Sequence, residues 1–277
     1  MELLTHTSII DGIARALDGL EPSTSGSLTS RGAALAFDGD GTLWRGDVGE
    51  DFFHAVVEHG DLRPVAVEAM CAVGRAAGLD RMDIHDGGVA VARRVFDGYL
   101  HQRVAEDVIC ELIAWVCAGW REAEVKAFAA EVLVRGDLAS RRHAELAAII
   151  EWARASGRDL ELFLVSASPR PIVEAAGLAL GFDRAHVLAA TALFSAEDVM
   201  LAEVVRPIPY GPGKATLLAD RLGDRALVAA FGDNVFDVPM LQAALVPVVV
   251  EPKPRLVACL AAAETTFRVP PVRVVVG

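Results

Sequence analysis

Apolar residues along the chain follow two patterns. In the first and last parts, short apolar runs alternate with helical stretches, which predicts buried strands separated by helices. Strands are predicted at residues 33–37, 160–165, 226–231, 246–250 and 267–269, with a short hairpin formed by 187–193 and 199–205. Strands separated by helices are typical of a parallel sheet that is covered on both faces. We therefore predict an α/β fold with a doubly wound parallel sheet.

Helical spacing dominates the region between residues 46 and 158. Apolar residues recur three or four positions apart, as in Val89, Ala92 and Val95, and glycines separate the stretches. Five or six helices and no strand are predicted there. The chain is thus predicted to have a core domain, residues 1–45 and 159–277, with an inserted all-helical cap domain, residues 46–158.

Turn-forming residues and helical patterns complete the core. Residues 21–30 are rich in serine, threonine, proline and glycine and are predicted to form a loop. The core helices are predicted at residues 9–20, 171–180, 213–222, 235–244 and 254–263.

Composition and charge limit the kinds of partner that we expect for this protein. Of the 277 residues, 53% are hydrophobic, which is enough for a packed globular core. The formal net charge of -12 repels phosphate backbones, so we do not expect nucleic acid as a partner. The sequence shows no basic and then apolar leader and no apolar run of about 18 residues, so no membrane association is expected. The four cysteines lack metal-site spacing, which favours free thiols in the cytoplasm.

Polar residues follow three of the predicted strands, and a lysine begins a predicted helix. Parallel sheets bind ligands at the carboxyl ends of their strands, so we expect these residues to converge. Each signal alone is ordinary, since an Asp-x-Asp pair after a strand is also a common turn. All of them together, in this order, favour one functional site. The residues are Asp38 and Asp40 after the first strand, Ser166 after the second, Lys214 at the helix start, and Asp233, Asn234 and Asp237 after the third.

Converging carboxylates need a counterion. Two like charges 4 Å apart repel by about 4 kcal/mol at an effective dielectric constant near 20. Either the pKa values rise or a cation binds, and oxygen-only ligands suit Mg²⁺. One aspartate could then attack phosphorus, while a second protonates the leaving oxygen and activates water. Ser166 and Lys214 would hold the phosphoryl oxygens.

These motifs resemble those of the haloacid dehalogenase superfamily. Its first motif, Asp-x-Asp-x-Thr after an apolar strand, is matched by Asp38, Asp40 and Thr42. Ser166 and Lys214 match the second and third motifs, and Gly232-Asp-x-x-x-Asp237 matches the fourth. The resemblance implies a Rossmann-like core with Asp38 as nucleophile and Asp40 as general acid and base. It also implies Mg²⁺ held by the Asp38 side chain, the Asp40 main-chain carbonyl and Asp233, with support from Asp237, Asn234 and Thr42.

The second aspartate distinguishes the branches of that superfamily. The dehalogenase branch lacks this acid, and the membrane ATPase branch has threonine there and needs membrane-spanning helices. Asp40 therefore favours the phosphoserine phosphatase-like branch, in which a helical cap lies between the first and second motifs. By this resemblance, the expected activity is Mg²⁺-dependent hydrolysis of a small phosphorylated metabolite through an aspartyl-phosphate.

Three further residues are candidates for substrate contact. Glu50 matches an acidic position that meets the amino or ammonium group of the substrate in phosphoserine and phosphocholine phosphatases, although a helix N-terminus also favours an acid. Trp44 could offer a ring to a quaternary ammonium group, and Arg170 could contact phosphate or face solvent. Two other functions remain open: transfer of the phosphoryl group to another acceptor, as in a phosphotransferase or mutase, and non-catalytic binding of a phosphate ester.

Overall fold

A seven-stranded sheet forms the centre of the computed structural model, which describes residues 1–20, 32–262 and 267–277. The strand order is β1-β9-β8-β7-β2-β3-β4, and all neighbouring strands are parallel. The predicted α/β fold with a parallel sheet is confirmed, whereas the predicted loop at residues 21–30 lies outside the described residues. The strands of this sheet are β1 Leu3–Leu4, β2 Ala33–Phe37, β3 Leu160–Pro169, β4 Val187–Ala190, β7 Ala226–Gly232, β8 Val246–Val250 and β9 Val272–Val274.

The central strand β2 is buried on both faces, because alternate residues point to opposite sides of the sheet. Ala33, Leu35 and Phe37 belong to the larger apolar cluster, which also contains residues of α1 (His6–Asp18). Ala34 and Ala36 belong to a second cluster on the other face. That second cluster contains residues of α10 (Pro212–Leu222), α11 (Val238–Ala243) and α12 (Pro254–Ala261). The fully apolar sequence of β2 therefore reflects burial between two helical layers.

The register of the central strands sets the position of the site. Phe37 of β2 is paired with Leu164 of β3 and with Phe231 of β7. Strands β2 and β7 consequently end at the same edge of the sheet, and the polar residues that follow them meet there beside Ser166 and Ser168, which lie just past Leu164 on β3.

The segment between β2 and β3, residues 46–158, consists of helices and loops with isolated bridges only. We call it the helical insert. Its seven α-helices exceed the predicted five or six, because the four-residue α7 is too short to show a periodic pattern. The division into a core domain and a cap domain at residues 46 and 158 stays a prediction. The helices are α2 Val48–His59, α3 Pro64–Ala76, α4 Gly88–Leu100, α5 Glu106–Ala114, α6 Glu122–Arg135, α7 Leu138–Arg141 and α8 Ala144–Ala155.

Two strand predictions were wrong. The run 187–193 does not form a hairpin with 199–205, because Val187–Ala190 is the edge strand β4, parallel to β3. The hairpin instead joins β5 (Ala192–Phe194) and β6 (Met200–Val204). The last strand is β9, not residues 267–269, and Phe267 packs against the second apolar cluster. A short apolar run does not reveal its partner, so these errors reflect tertiary pairing.

The remaining helix is α9 (Arg170–Ala179), which directly follows β3. No described helix combines the length and the apolar character needed to cross a membrane.

Candidate active site

A tight turn after β2 begins the site. The main-chain N–H of Asp38 donates to the carbonyl of Phe231, 2.9 Å away, which ties the end of β2 to β7. Gly41 follows with φ +81°, a conformation that favours glycine. A Cβ atom on Gly41 would lie 2.2 Å from Oδ2 of Asp233. Glycine therefore allows the turn to approach the carboxylate that follows β7.

A buried lysine bridges two carboxylates. The Nζ atom of Lys214 lies 2.5 Å from Oδ1 of Asp38 and 2.5 Å from Oδ1 of Asp237. All three side chains are buried. Burial lowers the pKa of Lys214, but the two carboxylates outweigh burial, so its pKa is raised and it stays charged. Helix α10 places this lysine at its first turn, as predicted.

Asp237 is held firmly by its surroundings. Its Oδ2 atom accepts hydrogen bonds from the main-chain N–H groups of Asp233, at 3.0 Å, and Asn234, at 2.9 Å. Its Oδ1 atom is occupied by Lys214. Both oxygens are thus engaged within the chain, and the supporting role expected for this residue stays a prediction. The Asn234 side chain caps the following turn by accepting from the N–H of Val235 at 2.7 Å.

Three carboxylates form an acidic cluster. Asp38, Asp233 and Asp237 each offer an oxygen, and these atoms lie within 4.8 Å of one another. Burial and repulsion by Asp237 raise the pKa of Asp38 to about 7. Burial and repulsion by Asp38 raise the pKa of Asp233 to about 8. Bringing these charges together is therefore unfavourable without a cation.

The donor set fits a divalent metal ion. Oδ1 of Asp233 is buried and has no hydrogen-bond partner among the described residues. Asp233 lies in the same cluster as Asp38, whose Oδ2 atom accepts, among the described residues, only a 3.2 Å bond from the Thr42 hydroxyl. Carboxylate oxygens are the ligands that Mg²⁺ prefers, and a bound cation would satisfy the orphaned oxygen.

The Asp40 side chain lies outside this cluster. Its Oδ1 atom accepts from the Trp44 ring N–H at 2.8 Å and from the Val48 N–H at 2.7 Å. Its Oδ2 atom accepts from the hydroxyls of Ser168 at 2.6 Å and Ser166 at 3.3 Å. Burial and repulsion by Asp47 raise its pKa to about 6, against these hydrogen bonds. The pKa of Asp40 is thus closer to neutral pH than that of an ordinary aspartate.

Ser166 lies within β3 rather than after it, because the strand continues to Pro169. Its side chain lines the same cavity as Asp38 and Lys214. Its hydroxyl oxygen also accepts from the N–H of Ser168 at 3.1 Å. The structure thus brings all four predicted motifs to one cavity.

Two predicted substrate contacts are not supported. The Trp44 ring is fully buried, packs against Gly39 and does not line the cavity. The ring N–H of Trp44 instead donates to Oδ1 of Asp40. Arg170 pairs with Glu174 at 2.6 Å and lines a different groove, because the chain enters α9 directly after Pro169. Glu50, by contrast, lines the cavity and is partly buried, which raises its pKa.

The cavity has a volume of about 90 Å³ and is bounded by residues that the motifs did not indicate. Ser168 carried a detectable signal, since positions two apart on a strand share a face with Ser166. The others come from separate elements, and only tertiary packing shows their proximity. They include Asp47 before α2, Tyr99 at the end of α4, Glu106 and Cys110 on α5, Tyr210 before α10, and Lys253 before α12.

Comparisons with known proteins agree with this geometry. Residues 35–242 match the model of the haloacid dehalogenase-like hydrolase family. The match covers more than half of the chain, so this protein belongs to that family of hydrolases, as the motifs predicted. No curated protein matches the chain significantly.

Solved structures show the same fold. A protein of unknown function from Bordetella pertussis Tohama I is similar over 86% of this chain and 98% of its own, at 21% identity and a TM-score of 0.61. A conserved protein of unknown function from Anaerococcus prevotii DSM 20548 is similar over 97% of this chain and 92% of its own, at 16% identity and a TM-score of 0.66. A phospho-aspartyl intermediate analogue of phosphoserine phosphatase is similar over 88% of this chain and 93% of its own, at 12% identity and a TM-score of 0.50.

Proposed function

We propose that this protein hydrolyses a small phosphomonoester, with Asp38 as the nucleophile and Mg²⁺ as the cofactor. The observation that carries the proposal is the arrangement around Asp38. Lys214 lies 2.5 Å from one of its oxygens, and Asp233, whose Oδ1 has no partner among the described residues, belongs to the same acidic cluster. A carboxylate beside a fixed positive charge and a metal site is suited to attack on phosphorus.

The metal site would be formed by the side chains of Asp38 and Asp233, with the main-chain carbonyl of Asp40 as a further oxygen donor by family resemblance. A bound Mg²⁺ would neutralise phosphoryl charge. Asp237 would keep Lys214 in place rather than bind the metal, since both of its oxygens already accept hydrogen bonds.

Hydrolysis would take two steps. An Asp38 oxygen bonds to phosphorus, the ester P–O bond breaks, and Asp40 gives its proton to the departing alcohol oxygen. Asp40 then takes a proton from a water molecule, whose oxygen attacks the phosphorus and releases inorganic phosphate and Asp38. The raised pKa of Asp40, about 6, suits both transfers.

The remaining phosphoryl oxygens would be held by this chain's own donors. Ser166 and Lys214 both line the cavity beside Asp38. Such donors are most effective where charge builds up in the transition state. The helical insert, residues 46–158, would act as the cap that excludes water.

A small substrate with an amino or ammonium group fits the cavity best. The cavity is lined by residues of the helical insert as well as by the motif residues, so the insert can contact the part of the ester beyond the phosphoryl group. The cavity wall carries Glu50, whose carboxylate has no hydrogen-bond or ion-pair partner among the described residues, together with Asp47. The Tyr99 and Tyr210 side chains line the same space, and tyrosine faces attract cations. The four free thiols favour action in the reducing cytoplasm.

The first test is phosphate release from an aryl phosphate with and without Mg²⁺. We expect Asp38→Asn to abolish turnover, because an amide cannot act as the nucleophile. Asp220→Asn, an exposed change on α10, serves as the control and should retain full activity. Full activity of Asp38→Asn, or full activity in excess chelator, contradicts the proposal.

A substrate panel then separates the related functions. It should contain phosphoserine, phosphocholine, phosphoethanolamine and sugar phosphates. A preference for esters with a cationic group would support the role of Glu50, and Glu50→Gln should then raise KM for those esters only. Phosphorylated alcohols among the products, when alcohols are added, would indicate phosphotransfer. Binding of esters without turnover would indicate a phosphate-ester binding protein.

A further inference from the structure

We propose that Lys253 is a positioning residue for the metal site and that it acts by orienting the carboxylate of Asp233. The inference rests on the proposed function, because it assumes that Asp233 is a ligand of Mg²⁺. Lys253 belongs to none of the four sequence motifs. It lies directly before α12, on the loop that follows β8.

Two contacts join Lys253 to Asp233. Its Nζ atom lies 3.0 Å from Oδ2 of Asp233, and its main-chain N–H donates to the Asp233 carbonyl at 2.8 Å. The second contact fixes the start of the lysine side chain relative to the aspartate. Strand β8 is paired with β7, so the ends of both strands are held at the same edge of the sheet. The pairing of these two strands therefore fixes the relative positions of Lys253 and Asp233.

The two oxygens of Asp233 have different surroundings. Oδ2 is bound by Lys253, whereas Oδ1 is buried without a partner in the described part of the chain. The residue is only 2% exposed, so water does not readily replace a missing partner. Lys253 thus holds Oδ2 and leaves Oδ1 as the unpaired oxygen of Asp233, which is available to a cation.

The ion pair differs from an ordinary surface pair. Lys253 is half-exposed, but its partner is buried beside Asp38 and Asp237, two further carboxylates. An exposed pair such as Lys126–Glu122 on α6, 2.6 Å apart, contributes little to any function of the site. Without Lys253, Oδ2 of Asp233 would lose its cationic partner, and the carboxylate could turn away from the metal position.

Groups that orient metal ligands affect metal affinity strongly, and their loss typically weakens it by about 10- to 100-fold. The experiment is isothermal titration of the full-length protein with MgCl₂ in the absence of substrate. We expect Lys253→Met to weaken Mg²⁺ binding about tenfold and Lys253→Arg to restore most of the affinity. Lys126→Met removes the same charge far from the site and should bind Mg²⁺ like the unmodified protein.

The outcomes are distinguishable. If the unmodified protein binds no Mg²⁺, the proposed function fails together with this inference. If it binds Mg²⁺ and Lys253→Met binds equally well or more tightly, only the role of Lys253 is overturned, and tighter binding would identify the lysine as a competitor of the metal. Where Lys253→Met does not stay folded by circular dichroism, Lys253→Gln replaces it under the same criteria.

Steady-state rates supply a second readout. A positioning role should raise the Mg²⁺ concentration needed for half-maximal rate, while KM for the ester at saturating Mg²⁺ stays unchanged. A change confined to KM for the ester would show that Lys253 contacts substrate instead, which would overturn the inference.

Discussion

Replacement of Ser168 by alanine tests the proposed role of Asp40. The Ser168 hydroxyl donates the shortest of the four hydrogen bonds to Asp40, at 2.6 Å, and it acts on Oδ2. Among the described residues, the only other side chain that donates to this oxygen is Ser166, 3.3 Å away. The substitution therefore removes the main partner of Oδ2 and leaves the bonds of Trp44 and Val48 to Oδ1 in place.

The hydrogen bond from Ser168 determines the direction and size of the expected change in the pKa of Asp40. A hydrogen bond to a charged group contributes about 1.5–3 kcal/mol, and this one favours the ionised form of Asp40. Its loss should raise the pKa of Asp40 above its present value of about 6. One pKa unit corresponds to about 1.4 kcal/mol, so the lower end of that range predicts a rise of about one unit.

The assay is the pH profile of kcat/KM with an alkyl phosphate, whose leaving alcohol needs a proton. The alkaline limb reports loss of the proton from Asp40 and should move about one pH unit upward in Ser168→Ala. Ser140→Ala, an exposed change on α7, provides the control and should leave the profile unchanged. An alkaline limb that stays in place or moves to lower pH would refute the assignment of Asp40 as the acid.

Three other changes should have defined results. Lys214→Met leaves Asp38 and Asp237 buried without their cation, so we expect a loss of about 3–5 kcal/mol in stability by chemical denaturation, together with loss of activity. Gly41→Ala would place a Cβ atom 2.2 Å from Oδ2 of Asp233 at φ +81°, and calorimetry should show Mg²⁺ binding at least tenfold weaker. The folded pKa values of Asp38 and Asp233, about 7 and 8, exceed the ordinary value of 3.8, so the metal-free fold binds extra protons and loses stability as pH rises from about 4 to 8. Mg²⁺ should therefore raise the unfolding temperature more at pH 8 than at pH 5, and an equal rise at both would contradict the assignment of these carboxylates.

Much of the fold was accessible from local patterns. The apolar runs of β2, β7 and β8 are continuous because helices cover both faces, and such runs are easy to recognise. Strand β4 was misassigned, because four buried apolar residues do not show whether they pair in a sheet or a hairpin. The two-residue β1 is too short to leave any pattern.

In the candidate site, likewise, some residues could be predicted from local patterns and others could not. Asp38, Lys214 and Asp233 directly follow strands or begin a helix, and the common direction of parallel strands brings such positions together whatever the loops do. The positions of the Trp44 and Arg170 side chains depend on the path of the chain after each motif, which the sequence does not show. The Trp44 ring is fully buried and Arg170 forms an ion pair with Glu174, so neither side chain lines the cavity.

The sequence by itself therefore determined the class of fold and the meeting of Asp38, Asp233 and Lys214, because those depend on strand ends and periodic patterns, whereas the side chain of Asp40 lies outside the acidic cluster. Only the tertiary structure decided which group contacts each carboxylate oxygen. Ser168 donates a hydrogen bond to Asp40, and Lys214 donates one to Asp237. Lys253 pairs with Oδ2 of Asp233, whose Oδ1 has no partner among the described residues. Side-chain contacts of this kind join residues that are up to 176 positions apart, as for Asp38 and Lys214. No local pattern encodes such distances, because they are set by how the helices and the sheet pack together.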